Sequence, residues 1–392
     1  MTDRSPRAAA CVLLALSLAA LTALCVALRI PMADALVYRA EGAAVASGTS
    51  LYGFTVTAWQ LPATYPPFAA LLFLPAAHAS PDVVRFAFGA GNSVLAGVLV
   101  MLSCRFAGTG PRAAYVLAAT ALALWLEPVF QTLLFGQINL ALTCLVLWDL
   151  SRPAGAFGKG FGVGVAAGIK ITPLFFVLHL LVRGQRRDAA VALAGFGSTV
   201  LLGALVLPAA SVEFFTRRLF ETGRVGKAWI VDNQSLQGLL ARLLHTPAPG
   251  TVWVVCAGAV GAGGLWAARR ADERWALLAS AFTALLICPI SWSHHWVWCV
   301  PLIVLMAAEG RPRTAALLAA VFTARTLWLV PHAGDLDLRL PLWQQPLASP
   351  YPLLGLAVVG WAGAAARRRP RVVRPGAVGQ FPARSSSASM IR

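Results

Sequence analysis

Apolar segments of roughly 17–25 residues, the length a helix needs to cross a bilayer, recur along the whole of this chain. No other feature restricts its fold as strongly. Backbone polar groups inside hydrocarbon must be satisfied within the protein, so runs of this kind are helical. They fall near residues 9–30, 84–104, 113–126, 133–148, 160–182, 189–208, 250–268, 274–289, 295–308, 314–330 and 351–366. Charged residues make up 12% of the chain, about half the share in soluble globular proteins. The expected fold is an all-α polytopic integral membrane protein with about 10–12 transmembrane helices. One multi-pass domain over residues 1–370 is expected to precede a polar, disordered tail at 371–392. The N-terminal run has a basic start and about 20 apolar residues, and is read as a retained first helix instead of a cleaved signal peptide.

The net charge of +17 does not point to nucleic acid. The basic residues cluster in short loops between apolar runs, as the positive-inside rule requires, and form no recognition motif. With the N-terminus in the cytoplasm, the loops around Arg105/Arg112, Arg152, Arg269/Arg274, Arg311/Arg313 and Arg367 all fall inside. The run 160–182 breaks this order, because basic loops flank it on both sides. It contains "GIKITP", with Lys170 and Pro173 at membrane depth. Proline removes a helix hydrogen bond, and irregular backbone at that depth needs protein or a water-filled cavity around it. A broken or re-entrant pair of half-helices beside a cavity is therefore expected. The seven cysteines are scattered and show no metal-ligand spacing. No metal and no cofactor are expected.

The outer face then receives the long loops 31–83 and 209–249, the turn 127–139, the "SWSHH" turn at 291–295 and the loop 331–350. Asp34 follows the first apolar run. It reads equally as an N-cap for the helix that follows and as a general base at the membrane surface. The second loop gathers Lys227, Asp232, Asn233, Gln234, Ser235 and Arg242. Its "DNQS" fits a sugar- or phosphate-contacting turn, or simply a helix cap. Trp292 suits the aromatic belt of a membrane interface. His294 and His295 are harder to dismiss. Adjacent residues on a helix point about 100° apart, so the pair does not suit one metal ion. A histidine at a helix N-terminus suits an anion instead. An intramembrane lysine, Lys170, is a functional candidate by default. A carboxylate, histidines, a lysine, an arginine and amides on one membrane face are what transfer from a lipid phosphate requires.

Taken in order, Asp34, Tyr38, Tyr52, "YPP" at Tyr65–Pro67, "GQIN" at Gly136–Asn139, "GIKITP", "NQS" at Asn233–Ser235 and "SWSHHW" resemble the family 87 glycosyltransferases over about residues 30–300. These are GT-C-type membrane enzymes, and they include polyprenol-phosphate-mannose-dependent α-mannosyltransferases of phosphatidylinositol mannoside and lipomannan synthesis. The resemblance implies a GT-C-type fold and a multi-pass protein of the plasma membrane. It implies sugar transfer from a polyprenyl-phosphate donor to a glycolipid acceptor on the extracytoplasmic face, with inversion. Asp34 would be the general base. His294 or His295 would lie at the donor phosphate, with Lys170, Lys227 and Arg242 as further phosphate partners. Tyr38, Tyr65, Gln137, Asn139, Asn233, Gln234, Ser235 and Trp292 are candidate substrate contacts. No nucleotide-sugar site is implied.

Two rival readings remain. A transferase of the same fold using another polyprenyl-phosphate sugar, such as arabinofuranose, is barely separable by sequence. A lipid or sugar transporter without chemistry would use the same broken helix and lysine. Its polar groups would sit at the midplane, however, and an internal repeat would be expected, whereas here the polar motifs gather on one face and no repeat is evident.

Overall fold

A computed structural model describes residues 4–367. The tail expected to be disordered lies outside the described residues. Helices dominate, and the only paired strands among the described residues are a two-residue antiparallel ribbon, Thr55–Val56 with Leu61–Pro62. Four helices are long and apolar enough to cross a membrane: Pro6–Ala27, Pro81–Phe106, Arg186–Val206 and Gly250–Arg270. The number rises to six if the bent pairs Ala113–Ala123 with Glu127–Phe135 and Leu342–Ala348 with Pro350–Arg367 each count as one span.

The expected ten to twelve crossings thus become four to six by length, and the difference has a geometric cause. Several apolar runs form shorter helices that start at the basic face and stop at a cavity. Asn139–Leu150 has 12 residues and Glu273–Ile287 has 15. At 1.5 Å per residue these reach about 18–22 Å, short of the roughly 30 Å hydrocarbon core. Their ends away from the arginine-rich loops, at Asn139 and Cys288, each lie against a cavity.

Residues 160–182 resolve the conflict in the charge pattern. Helix Phe161–Ile169 ends at Lys170, whose backbone is extended (φ −147°, ψ 126°). A 3-10 turn at Thr172–Leu174 then leads into helix Phe175–Val182. The two flanking loops meet on one face. Gly155 N donates to Asp188 Oδ2 at 3.1 Å, and Arg183 Nη1 donates to Ala271 O at 2.9 Å. Arg105, Arg152, Arg183 and Arg274 line one hollow there. The segment therefore enters from the basic face and returns to it, with Lys170 at its tip.

Glycines let this hairpin lie directly on helix Arg186–Val206. A Cβ at Gly164 would collide with the backbone of Ala192 and Phe196, and one at Gly168 would collide with the Thr199 side chain. Backbone in the path cannot yield as a side chain can, so Gly164→Leu should force the hairpin off its neighbour. Overpacking of this kind destabilises by about 1–3 kcal/mol. A thermal-stability assay on the detergent-solubilised protein should show a lower midpoint for Gly164→Leu, and an unchanged midpoint for Gly197→Leu on the open side of helix Arg186–Val206.

Candidate active site

The outer ends of the short helices and the loops above them enclose a cavity of about 590 Å³. Its first wall comes from helix Ala33–Ser47. Met32, in a left-handed conformation, is the N-cap of that helix, and no side chain caps it. Asp34 is thus in the first turn, where a carboxylate is favoured by the helix dipole, and it lines the cavity. Of its two sequence readings, the N-cap is excluded. Tyr38, one turn later on the same face, stacks on Phe73 at 4.4 Å and on Tyr65 at 5.5 Å between ring centroids.

The "GQIN" turn closes against this helix. Gly136 has φ 67°, and a Cβ there would lie 2.7 Å from the Ala35 Cβ, so only glycine allows the approach. The turn brings Gln137 under both tyrosines. The Tyr38 hydroxyl donates to Gln137 Oε1 at 2.8 Å and the Tyr65 hydroxyl donates to it at 3.1 Å. Gln137 in turn hydrogen-bonds the Asp34 carboxylate. Burial raises the Asp34 pKa to about 6; the Gln137 hydrogen bond and the Lys170 charge pull it down, and the Asp232 carboxylate adds to the rise. Asp34 is therefore a stronger base than an ordinary carboxylate and still ionised at neutral pH.

The cation lies close by, with Lys170 Nζ 5.4 Å from the Tyr65 ring centroid. Lys170 Nζ donates to Asn139 Oδ1 at 3.0 Å and contacts His295 Nε2 at 2.9 Å. With the lysine donating, Nε2 accepts, which puts the imidazole proton on Nδ1. Asn139 is also the brace for the neighbouring histidine, since its Nδ2 donates to His294 O at 3.1 Å. The His294 ring is 4% exposed, lines the cavity and has no hydrogen-bond partner on either nitrogen. A buried polar ring left open toward a cavity points to a ligand. Asp232, which also lines the cavity, holds the histidine turn in place: Ser293 N donates to its backbone carbonyl at 2.9 Å and to its carboxylate Oδ1 at 3.2 Å.

A further polar pole lies elsewhere in the wall. Arg218 is clamped by Glu213 at 2.6 Å and by Glu221 at 2.7 Å, and both Arg218 and Glu221 line the cavity with Thr222 and Trp59. Paired guanidinium and carboxylate groups beside an indole match the hydroxyls and apolar faces of sugars. The charge-dense stretch "RRLFETGR" signalled this pole in the sequence, but it reads equally as a solvated surface.

The fold brings Asp34, Tyr38, Tyr65, Gln137, Lys170, Trp292, His294 and His295 to this one cavity, with Asn139 directly behind the lysine. The other candidates lie elsewhere. Lys227 is exposed and paired with Asp335 at 2.8 Å. Arg242 is fully buried, donating to Ser349 Oγ and to the carbonyls of Trp229, Ile230 and Asn233. Asn233 Nδ2 donates to Pro289 O, and Asn233 Oδ1 accepts from Ser291 N. Gln234 donates to Val231 O and Ala348 O. Ser235 caps helix Leu236–Leu243 and donates to Pro289 O. These five residues do not line the cavity; the last four fasten the segment 229–242 to the backbone around it, to Pro289 and Ser291 before the histidine turn, and to Ala348 and Ser349. No group of three or more His, Cys, Asp or Glu able to hold a metal occurs among the described residues.

Comparison with known proteins gives the family. No solved structure matches the chain. The family model described as "Glycosyltransferase family 87" matches residues 63–291. A polyprenol-phosphate-mannose-dependent alpha-(1-2)-phosphatidylinositol mannoside mannosyltransferase of Mycobacterium tuberculosis H37Rv is 31% identical, with 83% of each chain aligned. A protein of the same description from Mycolicibacterium smegmatis is 32% identical over 82% of this chain and 81% of its own. A polyprenol-phosphate-mannose-dependent alpha-(1-2)-phosphatidylinositol pentamannoside mannosyltransferase of M. smegmatis is 34% identical over 77% of each. A helical membrane protein with an acid, a lysine and two histidines around one cavity, aligned with such relatives over most of its length, is a membrane glycosyltransferase, and the chain belongs to glycosyltransferase family 87.

Proposed function

We propose that this protein transfers a mannosyl residue from a polyprenyl monophosphate carrier to a phosphatidylinositol mannoside-type glycolipid. The reaction is assigned to the extracytoplasmic face of the plasma membrane, opposite the arginine-rich loops. The observation that carries the reading is the pairing within one cavity of a basic carboxylate, Asp34, with the Lys170–His295 pair and the unpartnered His294. The relatives' names supply the donor and the acceptor class. They differ in acceptor at nearly equal identity, so the acceptor's exact size is left to the Arg218–Glu221 pole and the wall around it.

In this mechanism the Asp34 carboxylate takes the proton of an acceptor hydroxyl as its oxygen attacks the anomeric carbon. The bond from that carbon to the phosphate oxygen breaks, and its electron pair leaves with the phosphate. The configuration inverts, so a β-linked donor gives an α-glycoside. The departing phosphate is anionic and needs charge stabilisation more than a proton. Lys170 supplies the charge, and the two imidazoles complete the phosphate pocket. Tyr38, Tyr65 and Gln137 hold the base in place, and the wall bearing Trp59 and Trp292 faces sugar.

Membranes carrying the protein, given radiolabelled polyprenyl-phosphate mannose and a phosphatidylinositol mannoside, should form a longer labelled glycolipid. Asp34→Asn should lower turnover by about 10²–10⁴-fold. Lys170→Gln should lower it by about 10²–10³-fold, the usual loss for one charge-stabilising group. Polyprenyl-phosphate arabinofuranose is the comparison donor: transfer of arabinose and not mannose would reassign the sugar, and transfer of neither would remove the enzyme reading. The pH profile is fixed by sign. Asp34 works only when deprotonated, so turnover should fall as pH drops through about 6 and level off above it. A profile flat down to pH 4.5 would exclude Asp34 as the base.

A further inference from the structure

A second cavity, of about 360 Å³, opens on the opposite, basic face. At roughly 30 Å³ per water it has room for about a dozen. Four guanidiniums line it, those of Arg105, Arg152, Arg183 and Arg274, against a single carboxylate, Glu273. The positive-inside rule explains arginines in these loops. It does not explain why loops from four places in the chain turn them into one hollow.

Two of the arginines are held in place. Arg183 Nη1 donates to the carbonyls of Ala268 and Ala271 at 3.3 and 2.9 Å. Arg152 lies over the Trp148 ring, 5.1 Å from its centroid. Its ion-pair partner Asp149 is already occupied, accepting from Gly160 N and Val163 N. Arg105 and Arg274 are exposed and have no ion pair among the described residues. Gln185 Oε1 is a buried acceptor without a partner. Ser151 and His179 also line it, beside the apolar Leu102, Phe106, Leu150 and Leu277, and Trp148 is 48% exposed.

We propose that this cavity binds a phosphate group presented by an anionic phospholipid of the leaflet on the basic face. Fixed guanidiniums match phosphate oxygens bidentately. The orphan Gln185 acceptor suits a headgroup hydroxyl, such as that of a glycerol or an inositol. The apolar lining and the exposed Trp148 suit the start of the acyl chains, which free phosphate would leave uncovered. The site is separate from the outer cavity and does not rest on the reaction proposed there. It borders the basic-face end of the hairpin whose tip carries Lys170, since Arg183 and Gln185 directly follow helix Phe175–Val182.

The test is native mass spectrometry of the purified full-length protein in detergent, titrated with dioleoyl phosphatidylglycerol, dioleoyl phosphatidylcholine or inorganic phosphate. Phosphatidylglycerol should be retained in preference to phosphatidylcholine. Arg105→Gln/Arg274→Gln should weaken its binding by about 30-fold, at roughly 1 kcal/mol for each arginine near the membrane surface. Arg105→Lys/Arg274→Lys keeps the charge without the guanidinium fork and should bind between the wild type and the glutamine pair, which separates a lost charge from a misfolded protein. Arg269→Gln/Arg313→Gln removes the same charge from the same face outside the cavity and should have little effect. Equal losses from both glutamine pairs, or no preference for phosphatidylglycerol, would overturn the site. Saturable inorganic phosphate binding that depends on Arg105 and Arg274, without lipid preference, would overturn the lipid as the source.

Discussion

The contact on which the outer cavity depends is that of Lys170 Nζ, held between Asn139 Oδ1 at 3.0 Å and His295 Nε2 at 2.9 Å. A lysine at membrane depth is stable only beside polar partners or water, and here the fold supplies both partners and a cavity. The lysine can reach that position because residues 161–182 form a re-entrant hairpin whose extended tip is Lys170 itself. The hairpin can sit there because glycines let it press against helix Arg186–Val206. Asn139 joins this contact to the histidine turn by donating to His294 O. One buried cation therefore organises three separate stretches of the chain.

The cavity holds two neighbouring polar groups: Asp34, Tyr38, Tyr65 and Gln137 form a hydrogen-bonded cluster around a carboxylate, and Lys170, His294 and His295 form one that favours an anion, with Lys170 Nζ 5.4 Å from the Tyr65 ring centroid where the two meet. In the proposed mechanism the first takes the acceptor's proton and the second receives the departing phosphate. The second outer loop supports this geometry from beneath. The buried Arg242 ties the carbonyls of Trp229, Ile230 and Asn233 to Ser349, and the short bridge of Asn233 with Trp292 carries that order into the histidine turn.

Much of this was legible in the sequence. The apolar runs locate the longer helices but not those of the loops, such as Ala33–Ser47 and Leu236–Leu243, and proline beside an intramembrane lysine locates the broken one. Asp34 stands out because acids are scarce, although cap and base look alike until the helix start is seen to fall at Met32. Depth was not legible. A 12-residue apolar helix that stops at a cavity has the same composition as part of one that crosses, so the sequence does not separate the two. Direction was not legible either. Arg242, Asn233, Gln234 and Ser235 are polar residues in an outer loop, a pattern that is the same whether they face a ligand or satisfy buried carbonyls. The Arg218–Glu221 pole was overlooked for the converse reason, since its charges sit in a stretch that resembles solvated surface.

The most direct measurement is a cryo-EM structure of Asp34→Asn bound to polyprenyl-phosphate mannose, in which turnover is blocked and the donor stays in place. Density for the phosphate against Lys170 and the histidine pair, with the anomeric carbon turned toward residue 34, is the result this account predicts. Phosphate density at the Arg218–Glu221 pole, or outside the cavity, would contradict it.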